Sequence, residues 1–131
     1  MVSNPSQPVR LLEWIGSSLK DMRWQPKGAQ REFGQALYEA QRGGKHPSAK
    51  PLKGEAFKGA AVLEIVADIN GDTYRVAYTA RLEGVIYVLH VFQKKATRGN
   101  KTSRTDIDLI RSRLITAKEH HAMNYKSQDT G

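Results

Sequence analysis

Three β-strand patterns follow one another in residues 60–94, which read AAVLEIVADINGDTYRVAYTARLEGVIYVLHVFQK. The first two patterns are separated by Asn70-Gly71, a pair that readily adopts the positive φ angles of a tight hairpin turn. Glu83-Gly84 predicts a second turn before a third pattern rich in β-branched and aromatic residues. The predicted strands cover residues 60–67, 74–81 and 85–94. This segment therefore predicts an antiparallel sheet.

One short strand and two helices are predicted before this segment. Residues 9–15 are short and apolar enough for a strand, and a helical turn is the alternative there. A short helix is expected from Ser17 to about Trp24, and Pro26 separates it from a second helix over about 27–42. The second helix places its apolar residues on one face, namely Ala29, Phe33, Ala36, Leu37 and Ala40. Residues 45–59 are polar and rich in glycine and proline, which predicts a loop without an element of its own.

A last helix and two tails complete the predicted organisation. Thr105 and Asp108 suit a helix start, and apolar residues continue at helical spacing to about His121. We expect one folded domain over 9–121, with tails at 1–8 and 122–131. The order β-α-α-β-β-β-α predicts an α+β fold, in which a mostly antiparallel sheet packs with an N-terminal helical hairpin and a C-terminal helix.

Length and composition exclude several classes of protein. A chain of 131 residues with 39% hydrophobic residues suits a single globular domain. It contains no cysteine, which excludes disulfides and thiolate metal sites. We see no apolar run of membrane-spanning length and expect no membrane partner and a cytoplasmic location.

The net charge of +8 is concentrated in two blocks. Residues 42–58 sum to +4 and residues 94–131 to +5, whereas residues 1–41 sum to +1 and residues 59–93 to −2. Each block alone is equally well explained as a solvated loop, but two blocks around one sheet segment indicate a polyanion partner. The candidate phosphate-binding residues are Lys45, Lys50, Lys53, Arg81, Arg98, Lys101 and Arg104.

Strand alternation predicts a site on one face of this sheet. Arg75 and Arg81 share a face of the second strand, and His90 shares a face of the third with Phe92 and Lys94. One surface would then present these basic groups beside the 94–104 segment. Fixed cations and a histidine suit metal-independent cleavage of RNA, in which the ribose 2′-OH attacks phosphorus. For two of these residues, Arg75 and His90, a purely structural role stays open as the alternative.

That alternative assigns structural roles to Arg75 and His90. Arg75 would form a salt bridge with Glu64 or Asp72, and His90 would be a half-buried core residue. The tyrosines of these strands are expected in packing roles, namely Tyr74, Tyr78 and Tyr87. No metal or cofactor is expected, because the adjacent His120-His121 point in different directions on a helix and no acidic cluster accompanies them.

Five segments of the chain, in this order and spacing, resemble the HigB-like, phage-derived branch of the RelE/ParE toxin superfamily. They are Trp14–Asp21, Lys45–Gly54, Asp72–Tyr78, Leu89–Lys95 and Asp106–Ile110. The resemblance implies a toxin that cleaves mRNA in the ribosomal A site. It also implies a cognate antitoxin, expected to be of the helix-turn-helix type, that holds the toxin inactive in a hetero-oligomer. The alternatives are a ParE-like, non-enzymatic inhibitor of DNA gyrase and a plain nucleic-acid-binding module.

The resemblance also assigns roles to individual residues. Arg75 matches the family's strand arginine at the scissile phosphate, and Lys94 matches a second basic group at the end of the last strand. RelE-type enzymes have lysines where this chain has Glu64, and a tyrosine where it has Asp106 and Asp108. His90 or Lys95 would therefore have to carry the proton transfer. The candidate catalytic residues are Arg75, His90, Lys94 and Lys95.

Overall fold

The computed structural model describes residues 9–52, 57, 62–94 and 102–125, which form a five-stranded sheet and three helices. The strands are β1 (Leu11–Trp14), β2 (Lys50–Pro51), β3 (Val62–Ile69), β4 (Asp72–Thr79) and β5 (Val85–Gln93). The helices are α1 (Ser18–Arg23), α2 (Lys27–Gln41) and α3 (Arg104–Asn124). The predicted α+β class, with its mostly antiparallel sheet, helical hairpin and C-terminal helix, is confirmed.

β3, β4 and β5 form the predicted antiparallel meander inside a sheet of order β1-β5-β4-β3-β2. Asn70 and Gly71 have φ angles of 52° and 88°, as a two-residue hairpin turn requires. Because this turn lets Ile69 pair with Asp72, β3 ends two residues later and β4 begins two residues earlier than the sequence predicts. β4 also ends earlier, at Thr79, so Arg81 lies beyond the strand.

The segment predicted as a loop contributes a strand. Lys50 and Pro51 of β2 pair with Glu64 and Leu63 of β3 at one edge of the sheet, so the prediction of no element within residues 45–59 is wrong. A proline is compatible with this position because an edge strand pairs on one side only. Because β2 has only two residues, it has no alternating pattern from which a strand could be predicted.

β1 forms the other edge and pairs in parallel with β5, with Leu11 opposite Val85. The strand predicted within residues 9–15 is confirmed, and the helical turn is not formed there. The predicted tail at residues 1–8 lies outside the described residues.

Helices cover both faces of the sheet, each over its own hydrophobic core. α1 and α2 pack on one face, where the predicted apolar side of α2 is buried in full and contacts residues such as Ile65 and Val76. α3 packs on the other face through Ile110, Leu114 and Ala117. The three strand tyrosines pack in these cores as predicted, Tyr74 and Tyr78 in the first and Tyr87 in the second.

α3 begins one residue before Thr105 and continues three residues past His121, so the predicted helix end is corrected. Ser103 caps its start, because the hydroxyl accepts from the Asp106 backbone N–H at 3.2 Å. At the other end, the Tyr125 hydroxyl donates to the carboxylate of Glu13 in β1. This contact holds the last turn against the sheet. No helix in the described part of the chain is long and apolar enough to cross a membrane.

Candidate functional site

Arg75 forms a buried ion pair on the α3 face of the sheet. Its Nη1 donates to Glu64 Oε1 at 2.8 Å, and the residue is only 4% exposed. Thr102, just before α3, joins the pair: its Oγ1 accepts from Arg75 Nη1 at 3.2 Å and donates to Glu64 Oε2 at 2.9 Å. The open alternative of a salt bridge to Glu64 is therefore confirmed. The charge of Arg75 is compensated in this structure.

His90 of β5 forms a second polar contact on the same face. Its Nε2 lies 2.8 Å from Asp106 Oδ1, and its ring stacks on Phe92 with 4.3 Å between centroids. The residue is 7% exposed, and Nδ1 has no hydrogen-bond partner among the described residues. The Asp106 carboxylate of α3 thus holds Nε2, whereas Nδ1 has no hydrogen bond to a described residue.

Burial lowers the pKa of His90 below its ordinary value of 6.5, although the hydrogen bond and the charge of Asp106 act in the opposite direction. The imidazole is therefore neutral at neutral pH. Because an ionised carboxylate can only accept, the proton sits on Nε2 and Nδ1 carries a lone pair. Protonation would place a charged N–H at Nδ1 in a buried position without a described acceptor, which is consistent with the lowered pKa.

A β-bulge in β5 turns His90 toward this face. Ala77 pairs with His90 and Tyr78 pairs with Val88, so Leu89 is an extra residue between them. With pairing continued regularly from Val88, His90 would stand opposite Val76 and point into the α2 core, since side chains alternate along a strand. The bulge therefore keeps His90 on the face of Asp106.

Arg113 of α3 supplies a hydrogen-bond donor to the backbone of the bulge. Its Nη1 donates to the Leu89 carbonyl at 3.0 Å, and its Nη2 donates to Ser17 Oγ at 3.1 Å. The guanidinium lies over Gly16, where φ is +59° and a Cβ would come within 2.8 Å of Arg113 Nε. Gly16 therefore serves both the turn after β1 and the approach of Arg113. Burial lowers the pKa of Arg113 from its ordinary value.

The structure brings together three of the four residues predicted as catalytic. Arg75 pairs with Phe92 across β4 and β5, so Arg75, Phe92 and His90 share one face. Lys94 follows β5, and its backbone N–H donates to Thr73 at the start of β4, so it lies at the same end of the sheet. Lys95 lies outside the described residues.

The predicted phosphate-binding residues are divided in space. Exposed Lys50 stands opposite Glu64, on the edge of the same face, and exposed Arg104 begins α3 beside Thr102. Lys45 lies beside α2, because its neighbour His46 is 3.5 Å from Glu32. The residues outside the described part of the chain are Lys53, Arg98 and Lys101.

The expectation that Arg81 shares the surface of Arg75 is corrected. Arg81 lies beyond the end of β4, and its backbone N–H donates to Thr79 Oγ1. Six residues of extended chain separate it from Arg75, a distance of about 20 Å. Arg81 therefore lies at the other end of the sheet.

The sequence pattern does not indicate the partners that position these groups. Asp106 stands only where RelE-type enzymes have a tyrosine, and no motif marks Thr102 or Arg113. The Ser103-Arg-Thr-Asp106 spacing is a helix-start signal that places Asp106 in the first turn of α3. No comparable signal exists for Arg113, because a bulge leaves no mark in the alternation of β5.

The adjacent histidines near the end of α3 have separate partners. His120 Nδ1 lies 2.8 Å from the Tyr87 hydroxyl, and His121 Nε2 lies 2.8 Å from the Glu83 carbonyl oxygen. Burial is the main cause that raises the pKa of Tyr87, to about 12, so the phenol stays protonated. Over the described ranges, no three His, Asp or Glu side chains are grouped as metal ligands.

A family model described as Phage derived protein Gp49-like (DUF891) matches residues 20–115. The chain belongs to this Gp49-like family. The matched range includes both polar pairs of the site, Arg75 with Glu64 and His90 with Asp106. No curated protein matches the Gp49-like chain in sequence.

Among solved structures, the Gp49-like chain is similar to an arginine-to-alanine double variant of the E. coli toxin RelE in the free state. The TM-score is 0.50 and the identity 15%, over 83% of this chain and 97% of that chain. The Gp49-like chain therefore has the fold of RelE. The predicted resemblance to the RelE/ParE superfamily is confirmed. Its HigB-like branch stays a prediction.

Proposed function

We propose that the chain is the toxin of a type II toxin–antitoxin system and cleaves mRNA on the ribosome without a metal ion. One observation carries the proposal: His90 is oriented by Asp106 through Nε2, leaves Nδ1 without a described partner, and shares a sheet face with Arg75. A neutral imidazole held by a carboxylate on one nitrogen is suited to accept a proton on the other.

The proposed reaction is transfer of the phosphodiester to the neighbouring 2′ oxygen. His90 Nδ1 takes the proton of the 2′-OH as that oxygen attacks phosphorus, and the bond to the 5′ oxygen breaks. Arg75 stabilises the charge that develops on the phosphorane. Lys94 or Lys95 gives a proton to the departing 5′ oxygen. The products are a 2′,3′-cyclic phosphate and a 5′-hydroxyl end.

Burial of the two central groups adds a requirement to this proposal. Arg75 and His90 are both buried in the free chain, and Thr102 bonds to Arg75. The RNA phosphate therefore has to replace Thr102 as a partner of Arg75, and RNA binding has to uncover His90 Nδ1, which is buried in the free chain. Catalytic hydrogen bonds that form only in the substrate complex are common among enzymes.

The remaining features of the proposal follow the RelE-like fold. A cognate antitoxin, of the helix-turn-helix type, would bind the toxin in a hetero-oligomer and cover part of its basic surface. The site of action would be the cytoplasm, where ribosomes and mRNA are found. The exposed cations proposed to hold RNA beside the site are Lys50 and Arg104.

The test is to map transcript ends by primer extension after induction of the toxin in a bacterial host. We expect new 5′ ends inside coding regions, and a decrease of roughly 100-fold or more in their rate of appearance with His90→Gln, since a general base contributes that much. Arg111→Ala, which removes an exposed cation elsewhere on α3, is the control and should cleave normally.

Two results would contradict the proposal. One is a folded His90→Gln variant, verified by circular dichroism, that cleaves as fast as the parent. The other is a toxic parent chain that leaves transcripts intact. Coexpression of the cognate antitoxin should abolish the new ends.

A second candidate function is favoured by the compensated charge of Arg75. A ParE-like inhibitor of DNA gyrase acts by protein binding and has no need of an open cation at this position. In that case induction would raise the SOS response early while transcripts stay intact. SOS induction by the parent chain without transcript cleavage would therefore assign the chain to this class.

A further inference from the structure

The α1–α2 hairpin carries an exposed basic and aromatic surface that the sequence does not indicate. We define the hairpin surface as Trp24, Lys27, Arg31, Gly34 and Tyr38, all of which are exposed. The four members in α2 recur at i, i+4, i+7 and i+11, so they form one stripe on the side opposite the buried face. The stripe extends over about 16 Å of helix.

Aromatic side chains stand at both ends of this stripe. Trp24, the C-cap of α1 and three residues before the start of α2, is 77% exposed, and Tyr38 is 55% exposed. A shallow surface depression of about 260 Å³ is lined, among the described residues, by Lys27, Gln30 and Arg31. Gln30 Nε2 donates to the Gln25 carbonyl at 2.8 Å and to that of Arg23 at 3.4 Å. The turn with Trp24 is therefore held against the basic part of α2.

The acidic residues of this region are directed elsewhere. Glu32 contacts His46. Asp21 accepts from Ser17 Oγ at 2.7 Å and interacts electrostatically with Arg113 of α3. In α2, the acids Glu32 and Glu39 lie roughly 110–130° around the helix from the centre of the stripe. The net charge of +1 over residues 1–41 thus conceals a separation of the two signs in space.

Gly34 adds an independent observation. A Cβ at this position would have no neighbour within 4 Å, so no packing contact of the described residues requires a glycine here. A glycine inside a helix destabilises it relative to alanine. Its exposed position between Arg31 and Tyr38 instead leaves a flat place where the backbone of a partner can approach the helix closely.

We propose that the hairpin surface binds a single-stranded segment of RNA, with phosphates on Lys27 and Arg31 and an unpaired base stacked on Trp24. Cations interleaved with exposed aromatic rings are the recurring chemistry of single-strand recognition. The surface lies on the α2 face of the sheet, opposite the face of Arg75 and His90. It is therefore a second RNA contact, remote from the bond to be cleaved.

The choice of RNA over DNA as the ligand rests on the proposed function, whereas the binding of a single strand is argued from the hairpin surface alone. A probe that cannot be cleaved tests this binding separately from cleavage. A 2′-O-methyl oligouridine of about 12 nucleotides lacks the 2′ nucleophile and is long enough for a single-strand site. Binding of this probe to the purified chain is measured by fluorescence anisotropy at several salt concentrations.

The matched variants each remove two cations. Lys27→Ala/Arg31→Ala changes the hairpin surface, and Arg111→Ala/Lys118→Ala removes the same charge from exposed positions of α3. We expect the first to lower the slope of log K against log salt by about 1.4, as two lost phosphate contacts predict, and the second to change it by less. Trp24→Ala should weaken binding roughly tenfold with little change in the slope.

Tryptophan emission gives a direct readout of stacking. Trp14 is partly buried against the α2 core, so the emission that RNA quenches should come from exposed Trp24 and disappear in Trp24→Phe. Equal effects of the two double variants, or quenching that survives in Trp24→Phe, would overturn the proposal. So would hairpin variants that lose antitoxin binding but keep RNA affinity. Probe binding without transcript cleavage in the cell would leave this inference intact and refute the proposed function alone.

Discussion

At the scale of residues, the pair of Arg75 and Glu64 is the feature with the largest expected energetic effect. Both side chains are nearly buried, and Thr102 bonds to each of them. Removing one partner leaves an unpaired buried charge, so Arg75→Met should lower the free energy of unfolding by about 3–5 kcal/mol. Arg75→Met/Glu64→Leu, which removes both charges, should restore most of this loss.

Urea unfolding of the two single variants and the double variant measures this coupling. A single variant that costs under about 1 kcal/mol would show that the pair is solvated in solution. The result also bears on function, because the proposed reaction requires Arg75 to exchange Thr102 for a phosphate while Glu64 still holds the guanidinium.

His90 makes stability depend on pH in a defined direction. Its pKa is lowered by burial in the folded chain, so between that value and 6.5 the unfolded chain binds more protons. The contribution of His90 is therefore complete above pH 6.5 and decreases as pH falls below it. We expect the parent to lose more stability between neutral and mildly acidic pH than His90→Gln, whose amide can still donate to Asp106.

The measurement is thermal unfolding of both proteins across that pH interval. Because the other histidines are common to both chains, the difference between the two curves isolates His90. Parallel curves would show that burial does not change the proton affinity of His90.

The site could be predicted from the sequence only in part, and the reason is local geometry. Strand parity places Arg75 correctly, and the alternative of an ion pair with Glu64 follows from neighbouring strands. Parity with Phe92 also places His90 on this face, because the extra residue, Leu89, lies on the other side of His90. A single inserted residue has no periodic signal, so the bulge and the contact of Arg113 with the Leu89 carbonyl could not be derived from pattern.

At the scale of elements, the turn between β1 and α1 depends on Gly16. Substitution by alanine there meets two costs: a positive φ of 59° and a Cβ within 3 Å of the Arg113 guanidinium. Gly84 has a positive φ of 79° as well, but a Cβ there meets nothing within 4 Å. We expect Gly84→Ala to cost about 1–2 kcal/mol and Gly16→Ala at least about 1 kcal/mol more.

Chemical denaturation of the two alanine variants provides the comparison, with Gly84→Ala as the control for backbone strain alone. Equal costs would mean that Arg113 moves aside without loss. A larger cost for Gly16→Ala, together with a changed NMR signal of His90, would show that the turn, the bulge and the site are mechanically connected.

The elements that could be predicted are those with sustained patterns. The Asn70-Gly71 hairpin, the buried face of α2 and the helical spacing of α3 each repeat a signal over several residues. β2 has two residues and a proline, so its pairing is decided by the neighbouring edge of β3. Its existence is a property of the assembled sheet, and the isolated segment contains no sign of it.

At the scale of the whole molecule, charge summed along the chain and charge arranged in space differ. The sequence directs attention to the blocks at 42–58 and 94–131, which together hold +9, and gives residues 1–41 only +1. In the folded chain, cations of α2 line an exposed stripe while its acids face another direction. A polyanion thus meets basic surface on the α2 face as well as beside α3.

The parallel pairing of β1 with β5 has a consequence for the synthesis of the chain. Leu11 emerges first, yet its partner Val85 follows more than 70 residues later. Contacts between such distant positions form slowly, since the intervening chain must first be closed into a loop. β1 therefore waits without a partner while α1, α2, β3 and β4 are made, until the strand that carries His90 is translated. A nascent copy can complete this sheet only after β5 has left the ribosome.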